Sequence, residues 1–325
     1  MTKIDLVTGI LGSGKTTFLR GYVRHLLSKG MRVAVLENDL GAVNIDMMML
    51  SDLQSENCTV TMIVGGGDPC CHRRRFKTQL INLGMEHYDR VIVEPSGIFD
   101  MDEFFDILHE SPIDRWFEVG SVLTILDGTT EDVLSEEMEY ILASEAACCG
   151  RLLLSKGGAT EKERSASAER ILSHLDRALE FIRCDRRFSL SDIVTKPWEE
   201  FSPEDYDSLM TAGYRGSAYV KRYSTETFRS GVHYFMHVRF PLDKTEELVR
   251  SIFSDKACGG VYRVKGAFVD SDGSWHRLNA TAERTEISPS AKGQAVLIVI
   301  GDGLDRKAID GYISAINEDP EYVSI

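Results

Sequence analysis

Apolar residues in the first half of the chain come in short continuous runs, and each run is followed by polar or glycine-rich residues. The runs cover residues 4–8, 32–36, 59–64, 90–93, 121–126 and 151–154. Continuous apolar runs of this length predict strands that are buried on both faces. Helical spacing between them, at residues 17–29, 74–85, 100–109 and 131–147, therefore predicts an α/β fold, with a mostly parallel sheet covered by helices on both faces.

The pattern changes in the second half of the chain. A polar helix is predicted over residues 160–183, and the turn-rich residues 192–231 have no clear period. Beyond them, strands are predicted at residues 232–240, 260–269, 275–282 and 295–300, and apolar helical stripes at 248–253 and 304–316. We therefore predict an α/β domain at residues 1–190, a connector with short helices at 191–230 and a smaller C-terminal α+β domain at 231–325.

Residues 9–16 directly follow the first predicted strand and have the spacing G-x-x-x-x-G-K-T. Glycines let backbone N–H groups converge on phosphate oxygens, and the helix that begins here points its positive end at the same anion. In this pattern Lys15 reaches the β- and γ-phosphates, and the Thr16 hydroxyl ligates Mg²⁺. We therefore predict that residues 1–190 form a P-loop nucleotide-binding domain; a glycine-rich turn without a ligand is the alternative.

We call residues 9–16 the phosphate loop and predict its contacts residue by residue. The nucleotide-binding residues are Gly9, Leu11, Gly12, Ser13, Gly14, Lys15 and Thr16, together with Thr17 directly after the loop. Thr16 is also the predicted Mg²⁺ ligand. Lys15 is predicted to be catalytic, because its charge would stabilise the transferring phosphoryl group.

Composition and charge exclude several classes of partner. The formal net charge of −14 argues against a nucleic-acid or anionic membrane surface, since both need a basic face. No apolar run approaches membrane-spanning length, and the amino terminus enters a predicted strand at once, so we expect no signal peptide. The seven cysteines are an odd number and include the adjacent pairs Cys70-Cys71 and Cys148-Cys149. Because neighbouring cysteines rarely form a disulfide, we expect a cytoplasmic protein in a reducing compartment.

Polar residues follow the carboxyl ends of several predicted strands. Ligands of open α/β sheets bind beyond this edge, so Glu37, Glu94 and Asp127 are expected near the phosphate loop. Glu94 ends an apolar strand and is predicted to be catalytic by orienting Mg²⁺ or water. The alternative for Glu94 is a helix-capping or ion-paired side chain, and capping is our interpretation of Asp127.

The chain resembles the CobW-type GTPases, which belong to the SIMIBI class of phosphate-loop proteins. The similarity rests on the phosphate loop, on residues 37–41, on the glycine-rich cysteine pair at 70–71 and on Glu94-Pro95-Ser96-Gly97. Residues 231–316 also look like that family's C-terminal domain, with Arg263-Val264-Lys265-Gly266 at its L-K-G strand. The resemblance implies GTP hydrolysis, binding of Zn²⁺, Co²⁺ or a related metal, and delivery of metal or metallocofactor to a client metalloenzyme through the C-terminal domain. The sequence does not decide whether the protein forms a homodimer.

Two positions depart from the family pattern. The guanine-reading N-K-x-D motif is replaced here by Ser155-Lys156-Gly157-Gly158. Gly158 cannot supply the carboxylate that accepts two hydrogen bonds from guanine. ATP is therefore kept as an alternative nucleotide to GTP. Ser155 and Lys156 keep their predicted role in nucleotide binding. The second departure is in the C-x-C-C hallmark, which begins here with Asp68 instead of cysteine.

The altered cysteine motif bears on metal binding. Asp68, Cys70, Cys71 and His72 offer oxygen, sulphur and nitrogen donors, a set that Zn²⁺ or Co²⁺ accepts. Four donors so close in sequence cannot all easily point inward, so we predict a site formed by two or three of them with Glu37 from the same sheet edge. If Glu37 lies on a switch that senses the γ-phosphate, hydrolysis would loosen the metal. The alternative is a lost site with two small buried thiols.

Three functions remain open from the sequence. The first is a metal-linked GTPase that acts as a metallochaperone or inserts a metallocofactor. The second is a nucleotide-gated activator of a metal- or corrinoid-dependent enzyme that binds no transition metal itself, and the third is a small-molecule kinase. His233 and His237 lie four residues apart on a predicted strand and are candidates for a second metal site, although strand histidines are more often exposed or hydrogen-bonded.

Overall fold

A computed structural model describes most of the chain. The described residues are 1–10, 12–39, 50–64, 69–95, 101–130, 134, 136–223, 232–282, 284–290 and 294–324. They form two compact units, one ending at residue 223 and the other starting at residue 232. In this described part of the chain, no helix is both long enough and apolar enough to cross a membrane.

A seven-stranded sheet forms the centre of the first unit. Its strands are β1 (Thr2–Thr8), β2 (Val33–Asp39), β3 (Cys58–Val64), β4 (Arg90–Pro95), β5 (Phe117–Asp127), β6 (Arg151–Ser155) and β7 (Ile193–Val194). They lie in the order β3-β2-β4-β1-β5-β6-β7, and neighbouring strands pair in parallel. Every residue of the interior strand β4 is buried, as its apolar sequence predicts. The predicted α/β fold is confirmed.

The helices of the first unit follow the strands closely. Those within the described residues are α1 (Lys15–Ser28), α2 (Pro69–Met85), α3 (Met101–Leu108), α4 (Glu136–Ala147), α5 (Glu161–Phe181) and α6 (Pro203–Met210). Helix α5 begins with a capping box, in which Thr160 and Glu163 satisfy each other's backbone N–H groups. Strand β5 begins at Phe117, earlier than predicted, because polar Glu118 and Gly120 interrupt the apolar pattern while the backbone continues to pair with β1.

Residues 193–210 pack against β6 and α1 of the first unit. Strand β7 extends the sheet beside β6, and α6 lies along α1. The Tyr206 ring stacks on His25 at 5.1 Å, and Asp207 accepts hydrogen bonds from His25 and Lys29 at 2.8 and 2.6 Å. The sequence pattern did not indicate this packing, because a two-residue strand and an eight-residue helix are too short to show a period.

In the described residues of the second unit, a six-stranded sheet packs with two α-helices. Its elements are β8 (Val232–Met236), α7 (Thr245–Ser254), β9 (Gly260–Val269), β10 (Trp275–Ala280), β11 (Thr285–Pro289), β12 (Val296–Asp302), α8 (Arg306–Ile316) and β13 (Val323–Ser324). All its strand pairs are antiparallel, in the order β11-β10-β9-β12-β8-β13. Leu248 and Ile252 of α7 and Ile309 and Ile313 of α8 share one apolar core with this sheet. The smaller α+β domain is confirmed as a fold.

The second unit corrects the interpretation of the two histidines. Strand β8 ends at Met236, and His237 has a φ of 56°, in the left-handed region. His233 and His237 therefore do not share one face of a strand, which was the basis for a second metal site there. The pattern was misleading because apolar Val238 and Phe240, both buried in the core, continue the alternation beyond the end of the strand.

Candidate nucleotide-binding site

The phosphate loop joins β1 to α1 at the carboxyl edge of the sheet. Gly9, Gly12 and Gly14 have φ values of 143°, 86° and 100°, which residues with a Cβ atom rarely adopt. A Cβ atom at Gly9 would lie 2.5 Å from the Ile125 carbonyl oxygen and 2.6 Å from the Ser13 hydroxyl. The loop can therefore approach β5 this closely only with glycine at position 9. Leu11 lies outside the described residues.

Lys15 begins α1 and turns its ammonium group back onto the loop. Its Nζ donates a hydrogen bond of 2.7 Å to the carbonyl oxygen of Gly9, and its side chain is buried. This position puts a positive charge inside the curve of the phosphate loop. Phosphate oxygens that enter the loop would compete with this carbonyl for the ammonium group.

Thr16 and Glu94 meet beneath the loop. The Thr16 hydroxyl donates a hydrogen bond of 2.8 Å to Oε1 of Glu94, and both side chains are buried. Glu94 is carried there by β4, which lies next to β1 in the sheet. A hydroxyl and a carboxylate are the hard oxygen donors that Mg²⁺ prefers, so the two side chains fit the predicted ion. Glu94 is thus bonded to the helix that follows the phosphate loop.

Glu37 stands beside Glu94 in the sheet. The two residues are direct partners in the parallel pairing of β2 with β4, and their exposed fractions are 3% and 4%. Asn38, the next residue of β2, is also buried, and neither polar atom of its side chain has a hydrogen-bond partner among the residues described. Sequence reasoning missed Asn38, although a polar residue in an apolar strand was the available signal.

The predicted transition-metal site is only partly visible. Asp68 and the side chains of Cys70 and Cys71 lie outside the described residues, while His72 is buried in α2. Among the described side chains, no group of three or more histidine, cysteine, aspartate or glutamate residues could hold a metal ion. The site formed by Glu37, Asp68 and the two cysteines therefore stays a prediction.

Ser155 ends β6, and Lys156, the next residue, contacts the phosphate loop. The Lys156 ammonium donates hydrogen bonds to the Gly12 carbonyl at 2.8 Å and to Oδ2 of Asp127 at 2.6 Å. The Ser155 hydroxyl donates to the carbonyl of Leu126 at 3.1 Å. Asp127, which was interpreted as a capping residue, also accepts a hydrogen bond from the Thr129 N–H at 2.9 Å. The loop after β6 is thus fixed to both β5 and the phosphate loop.

Trp198 contributes an aromatic ring that sequence reasoning missed. Two of its ring carbons lie 3.4 Å from where a Cβ atom at Gly14 would be, and the ring centroid is 5.8 Å from that of Phe18. Trp198 belongs to the segment after β7, which showed only turn signals. A lone tryptophan in such a segment gives no indication of its contact.

The remaining described cysteines behave as packing residues. Cys58, Cys148, Cys149, Cys184 and Cys258 are free and buried. Burial raises the pKa of the Cys149 thiol to about 12 and that of Cys58 to about 11. Thiols with such pKa values are almost entirely protonated at neutral pH, and therefore poor nucleophiles and metal ligands.

Comparison with known proteins decides the family. The model of the CobW/HypB/UreG nucleotide-binding domain matches residues 3–183. The chain belongs to this family. The residues that match the family begin in β1 and end just after α5, so they include the phosphate loop, Glu94 and Lys156. The resemblance inferred from the sequence motifs is confirmed, and Trp198 lies beyond the matched residues.

Individual relatives of this CobW/HypB/UreG chain carry names linked to zinc. The zinc chaperone YjiA of Escherichia coli is 32% identical over 168 residues, which cover 47% of this chain and 48% of that protein. The zinc-regulated GTPase metalloprotein activator 1 of Dictyostelium discoideum is 23% identical over 301 residues, covering 81% of this chain and 62% of that protein. The chain thus spans about half of YjiA's length and less than two thirds of the activator's. A crystal structure of Zn(II)-bound YjiA aligns with 98% of this chain and 99% of that one at 13% identity, with a TM-score of 0.34.

Proposed function

We propose that the chain binds and hydrolyses GTP and that hydrolysis controls the delivery of a metal ion or metallocofactor to a client metalloenzyme. The observation that carries this proposal is the buried hydrogen bond from Thr16 to Glu94 at the base of the phosphate loop. It joins a hydroxyl and a carboxylate at the point where a loop-bound triphosphate needs its Mg²⁺. Zinc chaperones and a zinc-regulated GTPase among the relatives support the link to metal.

The residues of the loop would divide the work of hydrolysis. Lys15 and the loop amides would bind the phosphate oxygens and stabilise the charge that develops during transfer. Thr16 and Glu94 would hold Mg²⁺, which neutralises charge on the β- and γ-phosphate oxygens when bound. Glu94 would also orient the ion or the attacking water, because its strand fixes the carboxylate in the sheet.

We propose GTP as the nucleotide because of the names of the relatives. Gly158 argues against guanine, because it has no carboxylate to accept hydrogen bonds from that base. Release of phosphate from GTP and from ATP, each with Mg²⁺, tests the proposal directly. We expect slow turnover with GTP and less with ATP. The absence of phosphate release from both nucleotides, by folded protein, would contradict hydrolysis. A phosphorylated small molecule as product would favour the kinase alternative instead.

The metal site proposed here uses Glu37 with Asp68, Cys70 and Cys71. Glu37 supports this site because it is the direct sheet partner of Glu94. A change at the Mg²⁺ site would therefore be passed between two neighbouring strands. This adjacency would let hydrolysis loosen a metal ligand. The division into residues 1–190, 191–230 and 231–325, with client contact through the last of these, also remains a proposal.

Zinc binding tests this site. We expect the double variant Cys70→Ser/Cys71→Ser to lose most of its Zn²⁺ or Co²⁺ affinity, measured by competition with a chromogenic chelator. Cys58→Ala is the matched control, because it removes a buried thiol of β3 whose raised pKa, about 11, makes it a poor ligand. Parent-like affinity in the double variant would remove the proposed site.

The second function, a nucleotide-gated activator without a transition metal, is favoured by one observation. Asp68 replaces the first cysteine of the family motif and so removes one thiolate from the donor set. Metal analysis of protein purified without chelators separates the two functions. Stoichiometric zinc or cobalt supports the metallochaperone, and metal-free protein that still hydrolyses GTP supports the activator.

A further inference from the structure

Glu145 is a fully buried carboxyl group that the proposed mechanism does not use. It lies near the end of α4 and has an exposed fraction of 0%. Neither of its carboxylate oxygens makes a hydrogen bond of ordinary geometry with any described residue. An acidic side chain in this position is uncommon, because a buried charge without strong partners is costly.

Hydrogen bonds fix Glu145 next to the phosphate loop. The Thr124 hydroxyl of β5 donates to the backbone carbonyl of Glu145 at 3.0 Å. The same hydroxyl lies 2.8 Å from the hydroxyl of Thr8, the last residue of β1 before Gly9. The end of α4 is therefore tied, through one side chain of β5, to the residue at which the loop begins.

The charged and polar surroundings of Glu145 come from the loop itself. Lys15 and the Gly9 amide face the carboxyl group and favour its ionised form. From β5, the uncharged Thr124 hydroxyl bonds the backbone carbonyl of Glu145. On the α5 side, His174 and Arg177 lie 3.6 and 3.5 Å from Glu139, which is more than one helical turn away from Glu145.

Burial outweighs these favourable groups. It raises the pKa of Glu145 to about 8, although Lys15 and the Gly9 amide lower it. The carboxyl group is therefore mostly neutral at pH 7 and becomes ionised in mildly alkaline solution. This range is unusual for a glutamate and lies close to physiological pH.

We propose that Glu145 is a positioning residue for the phosphate loop, and that its carboxyl group must be neutral for the loop to bind a nucleotide. An ionised Glu145 would hold the Lys15 ammonium that phosphate needs and would repel the phosphate charge across a region of low dielectric constant. Nucleotide binding at mildly alkaline pH is then accompanied by uptake of up to one proton from solvent at this carboxylate. The inference rests on the proposed nucleotide-binding function.

The affinity for GDP with Mg²⁺ at about pH 7 and about pH 9 tests the proposal in the full chain. One pH unit above its pKa, the parent is about nine-tenths ionised at Glu145, so its affinity is expected to fall about tenfold relative to that of Glu145→Gln. Glutamine mimics the neutral carboxyl group and cannot ionise. Titration of the base and phosphates affects both proteins equally and cancels in the ratio.

Glu139→Gln is the matched control, since it removes a carboxylate from the same helix at a position that faces α5. It is expected to follow the parent at both pH values. Identical pH dependence in the parent and Glu145→Gln overturns the inference but leaves nucleotide binding intact. Failure of the parent to bind GDP even at about pH 7 removes the proposed function, and this inference with it.

Calorimetry on the parent keeps the test valid if Glu145→Gln does not fold. Binding of GDP at about pH 8.5, in two buffers of different ionisation enthalpy, gives the number of protons taken up. We expect more than about half a proton per GDP, because most Glu145 carboxylates are ionised before binding at that pH. A smaller uptake contradicts the proposal.

Discussion

The Thr16 hydroxyl donates a buried hydrogen bond of 2.8 Å to the Glu94 carboxylate, across 78 residues of sequence. The bond joins the first turn of α1 to the carboxyl end of β4. It places two oxygen donors for Mg²⁺ directly under the phosphate loop. Glu94 is therefore the residue whose role in hydrolysis can be tested most specifically.

We expect Glu94→Gln to lower the rate of GTP hydrolysis by about a hundredfold, because an amide is a weak Mg²⁺ ligand and misplaces the ion or the water. Its affinity for GDP without Mg²⁺ should stay close to that of the parent. Turnover and binding are measured separately, by phosphate release and by calorimetry. Thr16→Ser should keep most of the activity that Thr16→Ala loses, since serine retains the hydroxyl group.

Glu110→Gln controls for the loss of a carboxylate elsewhere in the same unit. Glu110 forms ion pairs with Arg73 and Lys77. This variant should hydrolyse GTP like the parent. Equal turnover in Glu94→Gln and Glu110→Gln would remove Glu94 from the catalytic machinery.

Stability depends on a second buried contact, between Asp5 and Arg90. Arg90 Nη1 lies 2.6 Å from Asp5 Oδ2, which also accepts a hydrogen bond of 2.8 Å from Tyr22. Burial raises the pKa of Asp5, while the Arg90 charge opposes that shift. Arg90→Met would leave the carboxylate buried without its cation, so we expect a loss of about 3–5 kcal/mol in the free energy of unfolding.

Urea unfolding measures this loss. An exposed ion pair that also involves β1 serves as the comparison. Lys3 and Glu118 form an ion pair of 3.0 Å with side chains that are nearly half exposed. Lys3→Met should therefore change the free energy of unfolding by less than about 1 kcal/mol. Similar losses in the two variants would show that the buried pair has no special weight.

Glu145 should also make stability depend on pH. Burial raises its pKa to about 8 in the folded protein, from the ordinary glutamate value of 4.5. Between these values the folded chain keeps a proton that the unfolded chain has lost, so stability falls as pH rises. Relative to Glu145→Gln, the parent should lose a few kcal/mol in the free energy of unfolding between about pH 5 and about pH 8.

Urea unfolding of both proteins at several pH values across this range checks the slope. The difference between them should stop growing above about pH 8, where Glu145 is ionised in both the folded and the unfolded chain. A constant difference from about pH 5 upward would mean that Glu145 is ionised throughout in the folded protein.

The sequence predicted the elements better than their contacts. Strands β1 to β6 are continuous apolar runs because both faces of a parallel sheet are covered, and that pattern is visible directly in the chain. The phosphate loop is recognisable for a similar reason, since glycines at fixed positions are a backbone requirement. The pairing of Thr16 with Glu94 depends on the order of strands in the sheet, which local patterns do not contain.

Two residues near the loop could not be assigned from the sequence for different reasons. Glu145 lies in a helix whose residues 140–147 are all buried, so α4 shows no polar face against which a buried charge would stand out. Trp198 lies in a turn-rich segment whose packing depends on β7, and a strand of two residues has no period. Both positions are defined by tertiary contacts alone.

The most direct test of the account is calorimetric titration of the folded protein with GTP, GDP, ATP and ADP in the presence of Mg²⁺, each with and without Zn²⁺. We predict binding of at least one purine triphosphate by the parent and none by Lys15→Ala, whose loop lacks the buried ammonium group. Absence of binding of both triphosphates at about millimolar concentration, a weak limit for any specific ligand, would contradict the nucleotide-controlled function.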